Sequence, residues 1–472
     1  MAQSLVWLRN DLRLADNPAL AAGLAEGAVV LVYVLDPAAR WGGASLWWLH
    51  HSLERLGADI AARGGQLVLR RGDSCTIIPA LAREIGATSV QAGRAHEPYL
   101  RAIDREVAAS LQKIGVAFHR HRSALALPPE AVLTQASGVY GVYTPFSRAC
   151  LDKLALRPPI PAPAKFPATR SITSDHLADW GLLPTAPDWA GGLRATWQPG
   201  EAGAQAQLAA FSPARLDQYD LNRNQPGIPG TSMLSPHLHW GEIAIDAVWR
   251  RIEALPTPRH EGKQTYLKEL LWREFAAYLL WHHPSLETTP MRAEFERVAW
   301  RDSPSDLRAW QRGMTGVPIV DAGMRQLWQT GWLHNRVRMI VASYLVKHLL
   351  IPWQVGAAWF WDTLVDADHA SNAASWQWVA GSGADAAPYF RVFNPVLQGE
   401  KFDPDGSYVR RYVPELARLP DAHLHAPWQA PDLILRGAGV VLGKDYPKPL
   451  VDLKYGRERV LAAFKVLGKN AA

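Results

Sequence analysis

Val29-Val-Leu-Val-Tyr-Val-Leu35 is an uninterrupted apolar run rich in β-branched residues, the composition and length of a strand rather than a helix. Shorter runs repeat the signal on both sides of it, from Leu5 to Leu8, Leu67 to Leu69, Val90 to Ala92 and Val116 to His119. Helix-like stretches fall between them, near residues 44–63, 76–86 and 98–114. Strands alternating with helices predict an α/β region with a parallel, Rossmann-like sheet. The turn after the first strand reads Val6-Trp-Leu-Arg-Asn-Asp-Leu-Arg13, where a dinucleotide fold carries G-x-G-x-x-G. A nucleotide site at that turn is not expected.

The texture changes after Arg157, because eight prolines fall before Gly200. Such a stretch reads as a long connection over a surface. Beyond it the apolar periodicity is helical, near residues 203–216, 235–254, 262–282, 318–330, 332–350, 355–365 and 368–379. The organisation expected is an α/β domain over 1–128, a connection over 129–202 and an all-α domain over 203–472. At 472 residues the chain exceeds the roughly 250–300 residues that one core supports.

With 48% hydrophobic and 20% charged residues the chain is neither a disordered polymer nor, lacking a run of about 18 apolar residues, a membrane protein. Lys and Arg number 50 against 44 Asp and Glu, a net charge of +6, which permits a polyanionic partner without establishing one. Two cysteines, Cys75 and Cys150, are too few for a disulfide framework or a zinc site and suit a reducing compartment. The opening residues lack the signal-peptide pattern, so a cytoplasmic location is expected; a monomer is the default expectation. Tryptophan, at 21, outnumbers both tyrosine (13) and phenylalanine (11), although a buried indole needs a partner for its N–H. Core filling alone does not explain that choice.

Several clusters bear chemistry. In Gly230-Thr-Ser-Met-Leu-Ser-Pro-His, Ser235 reads as an N-cap and Pro236 as the first helical residue. The hydroxyls of Thr231, Ser232 and Ser235 beside helix-terminal N–H groups suit a phosphate, with plain capping as the alternative. Glu269, Trp272 and Arg273 are spaced i, i+3, i+4 and share a helix face; the bland reading is a surface ion pair with Trp272 in the core. Gly331 closes one helix, and Asn335, Arg338 and Met339 align on the next with the same spacing. Asp366, Asp368 and Asn372 make a poor metal site, since a hard cation wants more oxygens. They serve better as partners for a buried arginine and the polar edge of a heteroaromatic cofactor. Trp376 and Trp378, about 200° apart on a helix, must face nearly opposite ways.

Six motifs in order, Gly-Thr-Ser-x-Leu-Ser (230–235), Glu-Leu-x-Trp-Arg-Glu-Phe (269–275), Thr-Gly-x-Pro-x-Val-Asp-Ala (315–322), Thr-Gly-Trp-x-His-Asn-Arg-x-Arg-Met (330–339), Asp-x-Asp-x-Ala-x-Asn (366–372) and Trp-Gln-Trp (376–378), resemble the photolyase/cryptochrome family, specifically class I cyclobutane pyrimidine dimer photolyases. The opening Trp-Leu-Arg-Asn-Asp-Leu-Arg and Val-Tyr-Thr-Pro-Phe (142–146) extend the resemblance over nearly the whole chain. It implies a helical domain that buries FAD. Tyr219, Thr231, Ser232, Met233, Leu234 and Ser235 would bind its phosphates. Tyr266, Arg273, Trp332, Arg338, Asp366, Asp368 and Asn372 would surround its ring system, with Arg338 paired to Asp366 and Asn372 near flavin N5. A pyrimidine dimer flipped out of DNA would meet Glu269 and Asn335 through hydrogen bonds, Trp272 and Trp378 as aromatic walls, and Met339. Trp376, Trp353 and Trp300 match the family's electron-transfer chain, and Arg223, Arg336 and Arg391 its DNA-backbone positions. No metal is implied.

The resemblance leaves other activities in view. A six-four photolyase would carry His in place of Asn335 and Met339; a cryptochrome-like photoreceptor would lack repair. The second, light-harvesting pigment is undecided between folate, deazaflavin and none, because Tyr99-Leu100 stands where folate-binding members often have Asn-Glu.

Overall fold

The computed structural model describes residues 3–386 and 391–467. The chain gathers into two compact units, neither continuous in sequence. The first comprises Met1–Asp217, Ser232–Pro284 and Val365–Asp368; the second comprises Gln218–Thr231, Ser285–Leu364 and His369–Ala472.

The first unit contains the expected parallel sheet. Its strands are β1 (Gln3–Leu8), β2 (Ala28–Leu35), β3 (Leu67–Arg71), β4 (Ser89–Gly93) and β5 (Ala117–His121), in the order β3-β2-β1-β4-β5. Every neighbouring pair is parallel. All of β2 is buried, as covering helices on both sheet faces require of an apolar run without alternation. The helices are α1 (Pro18–Glu26), α2 (Gly43–Ala62), α3 (Ser74–Ile85) and α4 (Pro98–Lys113). The sequence reading missed α1, although Asn17 caps it through a bond from Leu20 N (3.1 Å) and Pro18 begins it.

The turn after β1 is filled by its own side chains. Arg9 reaches Asp104 at 2.7 Å and the carbonyl of Gly93, while Asp11 accepts from Arg9 N at 2.8 Å. Arg13, only 1% exposed, donates to the carbonyls of Gly241 and Asp16 (2.8 Å each) and to Ser123 Oγ (3.1 Å). Leu12 N bonds Trp240 O at 3.1 Å. The opening Trp-Leu-Arg-Asn-Asp-Leu-Arg motif is therefore an internal anchor, tying the end of β1 to residues 240–241.

That anchor explains a departure from the sequence reading. The helix expected over 235–254 is two pieces, Ser235–His239 and Ile245–Ala254. Gly241 between them has φ 64°, and a Cβ there would lie 2.1 Å from Asn10 O. A left-handed residue pressed against backbone ends the helix and requires glycine. Likewise the helix expected over 203–216 divides into Glu201–Ala210 and Pro213–Asp217 at a proline. The stretch 332–350 becomes Asn335–Ser343 followed by a π-helical turn, Tyr344–His348. Helices at His260–His282, Pro318–Thr330, Trp353–Thr363 and His369–Ala380 follow the periodicity closely. Beyond residue 379 the sequence reading assigned none, yet Pro395–Phe402 and Leu453–Ala463 are helical.

In the second unit the Thr-Gly-x-Pro-x-Val-Asp motif is a clasp. Buried Asp321 accepts from Thr315 N and Oγ1 (2.7 Å each), Gly316 N (3.0 Å) and Tyr446 OH (2.6 Å). Burial pushes its carboxyl up to about 6 against those hydrogen bonds. Lys347 is equally buried, its Nζ 2.8 Å from Ala380 O and 4.5 Å from the centre of the Phe464 ring. Desolvation pulls its pKa down to about 7. Above the unfolded value of 10.5 the amine is neutral in both states and carries no penalty. As pH falls towards 7 the unfolded chain takes up the proton first, and that stability is lost. Lys347→Met should therefore gain on the wild type by roughly 2–5 kcal/mol between pH 10 and pH 7, measured as the pH dependence of the difference in urea unfolding free energy. A constant difference would contradict a buried, destabilised ammonium.

Candidate functional site

Within the first unit the chemistry gathers around residues 232–239. Met233 has φ 53°, an uncommon value for a residue other than glycine, and Leu234 follows in the right-handed region (φ −85°, ψ −4°). Alternating hand in adjacent residues turns successive N–H groups to one side and makes an anion-binding concavity. Ser232 Oγ accepts from Tyr266 OH at 3.0 Å and from Leu234 N at 3.4 Å. Burial raises the Tyr266 hydroxyl to about 12, so it remains a donor. Ser235 is not the N-cap expected: it is the first residue of a five-residue helix whose cap position is Leu234. An anion at this place would therefore meet the backbone turn rather than a helix end.

His239 ends that helix. Its ring is 5% exposed, packed edge-on to Trp41 (5.6 Å), with Nε2 lacking any hydrogen-bond partner among the described residues and Nδ1 3.6 Å from Asp368 Oδ2. Burial alone would raise the Asp368 pKa. The nearby charge of His239, aided by His96 and Arg273, instead holds it far below the usual carboxylate range. Trp240 Nε1 bonds Val365 O at 3.1 Å and so carries the 365–368 segment, with buried Asp366, to this place. An orphaned buried ring nitrogen beside a fixed carboxylate and a phosphate-shaped turn suit a large polar cofactor such as FAD.

The helix His260–His282 presents Tyr266, Glu269, Trp272 and Arg273 on successive turns. Glu269 and Trp272 are half-buried. Arg273 donates to the carbonyls of Ala124 (2.8 Å) and Leu238 (3.1 Å). Its neighbour Glu274, which the sequence reading passed over, is buried and accepts from Ala126 N (3.0 Å) and Leu127 N (3.2 Å). Burial raises its pKa. Adjacent residues of opposite charge thus fix the segment 124–127, and Leu238 with it, to the helix. Tyr143 was also missed as a candidate, although it stacks on Trp272.

The second unit carries the remaining candidates. Gly331, at φ 65°, closes the preceding helix as expected, and His334 caps the next by accepting Arg336 N at 3.2 Å. Desolvation, then the charges of Arg336, Arg338 and Arg223, lower His334 to about 4. Asn335 is exposed, Trp332 buried, and Arg338 and Met339 half-buried; Arg338 Nε bonds Leu333 O at 2.7 Å. Arg336 is held by Asn224 Oδ1 (2.9 Å) over the Phe402 ring (4.4 Å). Burial and the nearby Arg223 lower its pKa. Arg223 itself lies 5.7 Å from the ring of buried Tyr219. Thr231 follows Gly230, where a Cβ would meet Asn222 O at 2.6 Å. Arg391 is exposed.

On the helix His369–Ala380, Asn372 Nδ2 donates to Ala357 O at 3.0 Å, which fixes the amide's orientation. Trp376 is buried against Phe360 (5.0 Å) and Trp310 (6.3 Å), whereas Trp378 is half-exposed, so the two face differently as the helical geometry requires. Trp353 is buried; Trp300 is partly so and lies edge-on to Phe464 at 5.9 Å. Glu97, in the segment where a folate pair was sought, is buried and accepts from His96 N at 3.1 Å.

A parallel α/β sheet, with a backbone turn of anion-binding geometry beside buried His239 and Asp366, and a largely helical remainder define a two-unit protein suited to a phosphate-bearing cofactor. Residues 4–164 match the family described as DNA photolyase, and residues 266–466 the FAD binding domain of DNA photolyase. A deoxyribodipyrimidine photo-lyase of Agrobacterium fabrum is 48% identical over 99% of both chains. Cryptochrome-1 of Arabidopsis thaliana is 34% identical over 97% of this chain and 69% of its own length. The crystal structure of a bacterial class III photolyase from Agrobacterium tumefaciens superposes with a TM-score of 0.95 at 47% identity, covering 99% of this chain and 98% of that one. The chain belongs to the DNA photolyase family and is an enzyme with an FAD-binding domain. The class I assignment expected from the motifs is not the class that this solved structure carries. Among the described residues no helix is long and apolar enough to cross a membrane.

The positive φ at Met233 gives the site a stability signature. Met233→Gly should leave stability unchanged or raise it by up to about 1 kcal/mol, whereas Met233→Val should lower it by roughly 1–3 kcal/mol. Urea unfolding of both variants checks this, and equal stabilities would show that the turn is unstrained.

Proposed function

We propose that this protein repairs cyclobutane pyrimidine dimers in DNA with blue light. The observation that carries the reading is that one helix, His260–His282, holds both Tyr266, whose hydroxyl bonds Ser232 of the candidate phosphate turn, and the half-exposed Trp272. Between class I and class III, the 47% identity to the Agrobacterium class III structure supports the latter. The functional division we propose follows the sequence reading, with 1–128 as the antenna-type domain, 129–202 as a connection and 203–472 as the FAD-binding region.

FAD, when bound and reduced, supplies a light-excited electron donor; the chain supplies position and electrostatics. In the first unit, the amides of residues 232–235 would hold phosphate, and Tyr266 keeps Ser232 oriented. Glu269 would hydrogen-bond a base edge, and Trp272 would offer its face to it and shut out water. In the second unit, Asn335 and Met339 would touch the lesion and Trp378 would wall it. Arg223, Arg336 and Arg391 would neutralise backbone phosphates, and Asn372 would present an uncharged amide. Trp376, Trp353 and Trp300 would carry electrons that restore the reduced cofactor. A photoreceptor without repair is the second reading, favoured by the 34% identity to a plant cryptochrome.

Repair of a dimer-containing oligonucleotide under blue light, with a dark control, decides between them; absence of repair by the FAD-loaded protein would sink the first. Glu269→Gln should lower the repair yield while stability stays within about 0.5 kcal/mol of wild type. Arg336→Ala should reduce the slope of log affinity against log salt by about 0.9, as expected for one lost phosphate contact, read from binding between low and moderate salt.

A further inference from the structure

Tyr143 begins the helix Tyr143–Lys153, inside the Val-Tyr-Thr-Pro-Phe stretch that the proposed chemistry does not use. Its ring lies face to face with Trp272, centroids 3.7 Å apart and planes 5° from parallel. Its hydroxyl donates to Lys268 O at 2.6 Å, one turn before Trp272 on the same helix. The ring is thus held from its face and from its far end. Phe275 stands edge-on to both rings, 5.9 Å from each, and Phe146 and Tyr278 pack behind Phe275 at 4.9 and 6.3 Å.

Burial within the pair is uneven. Tyr143 is 8% exposed, whereas Trp272 is only half-buried. One face of the indole is therefore spent on the protein while the group keeps solvent access. An exposed helix-borne indole samples several rotamers. A stacked partner anchored to the same helix removes that freedom beforehand, so the cost of ordering the indole does not fall on the binding step.

We infer that Tyr143 is a positioning residue. It holds Trp272 in the orientation from which the second indole face stacks on an extrahelical pyrimidine pair, and so raises affinity for damaged over intact DNA. This rests on the proposed role of Trp272 as a wall of the lesion site. It requires the ring of Tyr143 more than its hydroxyl, since stacking sets the plane of the indole.

The test uses the full FAD-loaded protein and measures binding to a dimer-containing oligonucleotide, binding to the same oligonucleotide undamaged, and repair at saturating DNA. Tyr143→Leu should weaken dimer binding by roughly three- to tenfold, the worth of one aromatic pair. Binding of undamaged DNA and repair per bound complex should hold, and Tyr143→Phe should retain the wild-type preference. Should the leucine variant lose its fold or its FAD, Tyr143→Met replaces it with the same expectations. Unchanged dimer affinity, an equal loss for both DNAs, or a phenylalanine variant as impaired as leucine would each overturn the inference. Trp272→Leu separates the two levels: if it leaves the preference for damage intact, the role of Trp272 fails. If it abolishes the preference while Tyr143→Leu does not, only the role of Tyr143 fails.

Discussion

The buried guanidinium of Arg13 is the interaction on which the first unit depends. Taking such a group out of water costs several kcal/mol unless its donors are met. Here they are met by the carbonyls of Gly241 and Asp16 and by Ser123 Oγ. Burial lowers the Arg13 pKa, opposed chiefly by Asp11, then Glu201 and Asp16; an arginine keeps its charge under such pressure. The carbonyl of Gly241 is what matters functionally. It stands just beyond the one-turn helix Ser235–His239, so the cation in the turn after β1 is tied to the chain directly behind the helix that the 232–235 turn opens. Fold and site share one anchor, and the left-handed Gly241 lets two backbones approach closely enough for it to act.

The same economy recurs along the helix His260–His282. Arg273 and Glu274 are consecutive, opposite in charge and both directed to the backbone of residues 124–127, Arg273 also to that of Leu238. A buried carboxylate satisfied by two amides and a guanidinium satisfied by two carbonyls specify register more strictly than apolar packing, because a shift of one residue would leave each group unpaired at a cost of about 1–3 kcal/mol. The helix is thereby fixed in rotation. Its rotation decides which side chains stand over the turn at residues 232–235 and which remain open to solvent, so the half-burial of Glu269 and Trp272 follows from the satisfaction of their neighbours.

What the sequence disclosed follows the range of the interactions involved. The five strands were legible because apolar runs flanked by helical stretches are local, as were the alignment of Asn335, Arg338 and Met339 and the divergence of Trp376 from Trp378. The break after His239 was not, since it comes from the approach of Asn10 O to Gly241, residues far apart in the chain. Ser235 misled for a related reason: serine before proline is a sound start signal, but the chain turns at Met233 and Leu234 and passes the cap position one residue early. Tyr143 could not be paired with Trp272 from spacing at all. Asp321, quoted only as part of a family motif, proves to be a clasp whose partner Tyr446 lies 125 residues away.

Trp376 shows how packing sets the conditions for the proposed electron path. Its Cη2 would lie 2.2 Å from a Cβ on Gly356, so the indole rests against the bare backbone of the helix Trp353–Thr363. Gly356 is one turn after Trp353, and a glycine in a helix interior costs roughly 0.5–1 kcal/mol relative to alanine. That cost admits an indole against the helix backbone rather than onto a layer of side chains. Asn372, one turn before Trp376, donates to Ala357 O on the same helix. The two helices are therefore locked together at consecutive residues, Gly356 by contact and Ala357 by hydrogen bond. A side chain at 356 would part them at the point where Trp376 approaches the turn that carries Trp353, which makes this glycine a determinant of the spacing that the proposed path needs.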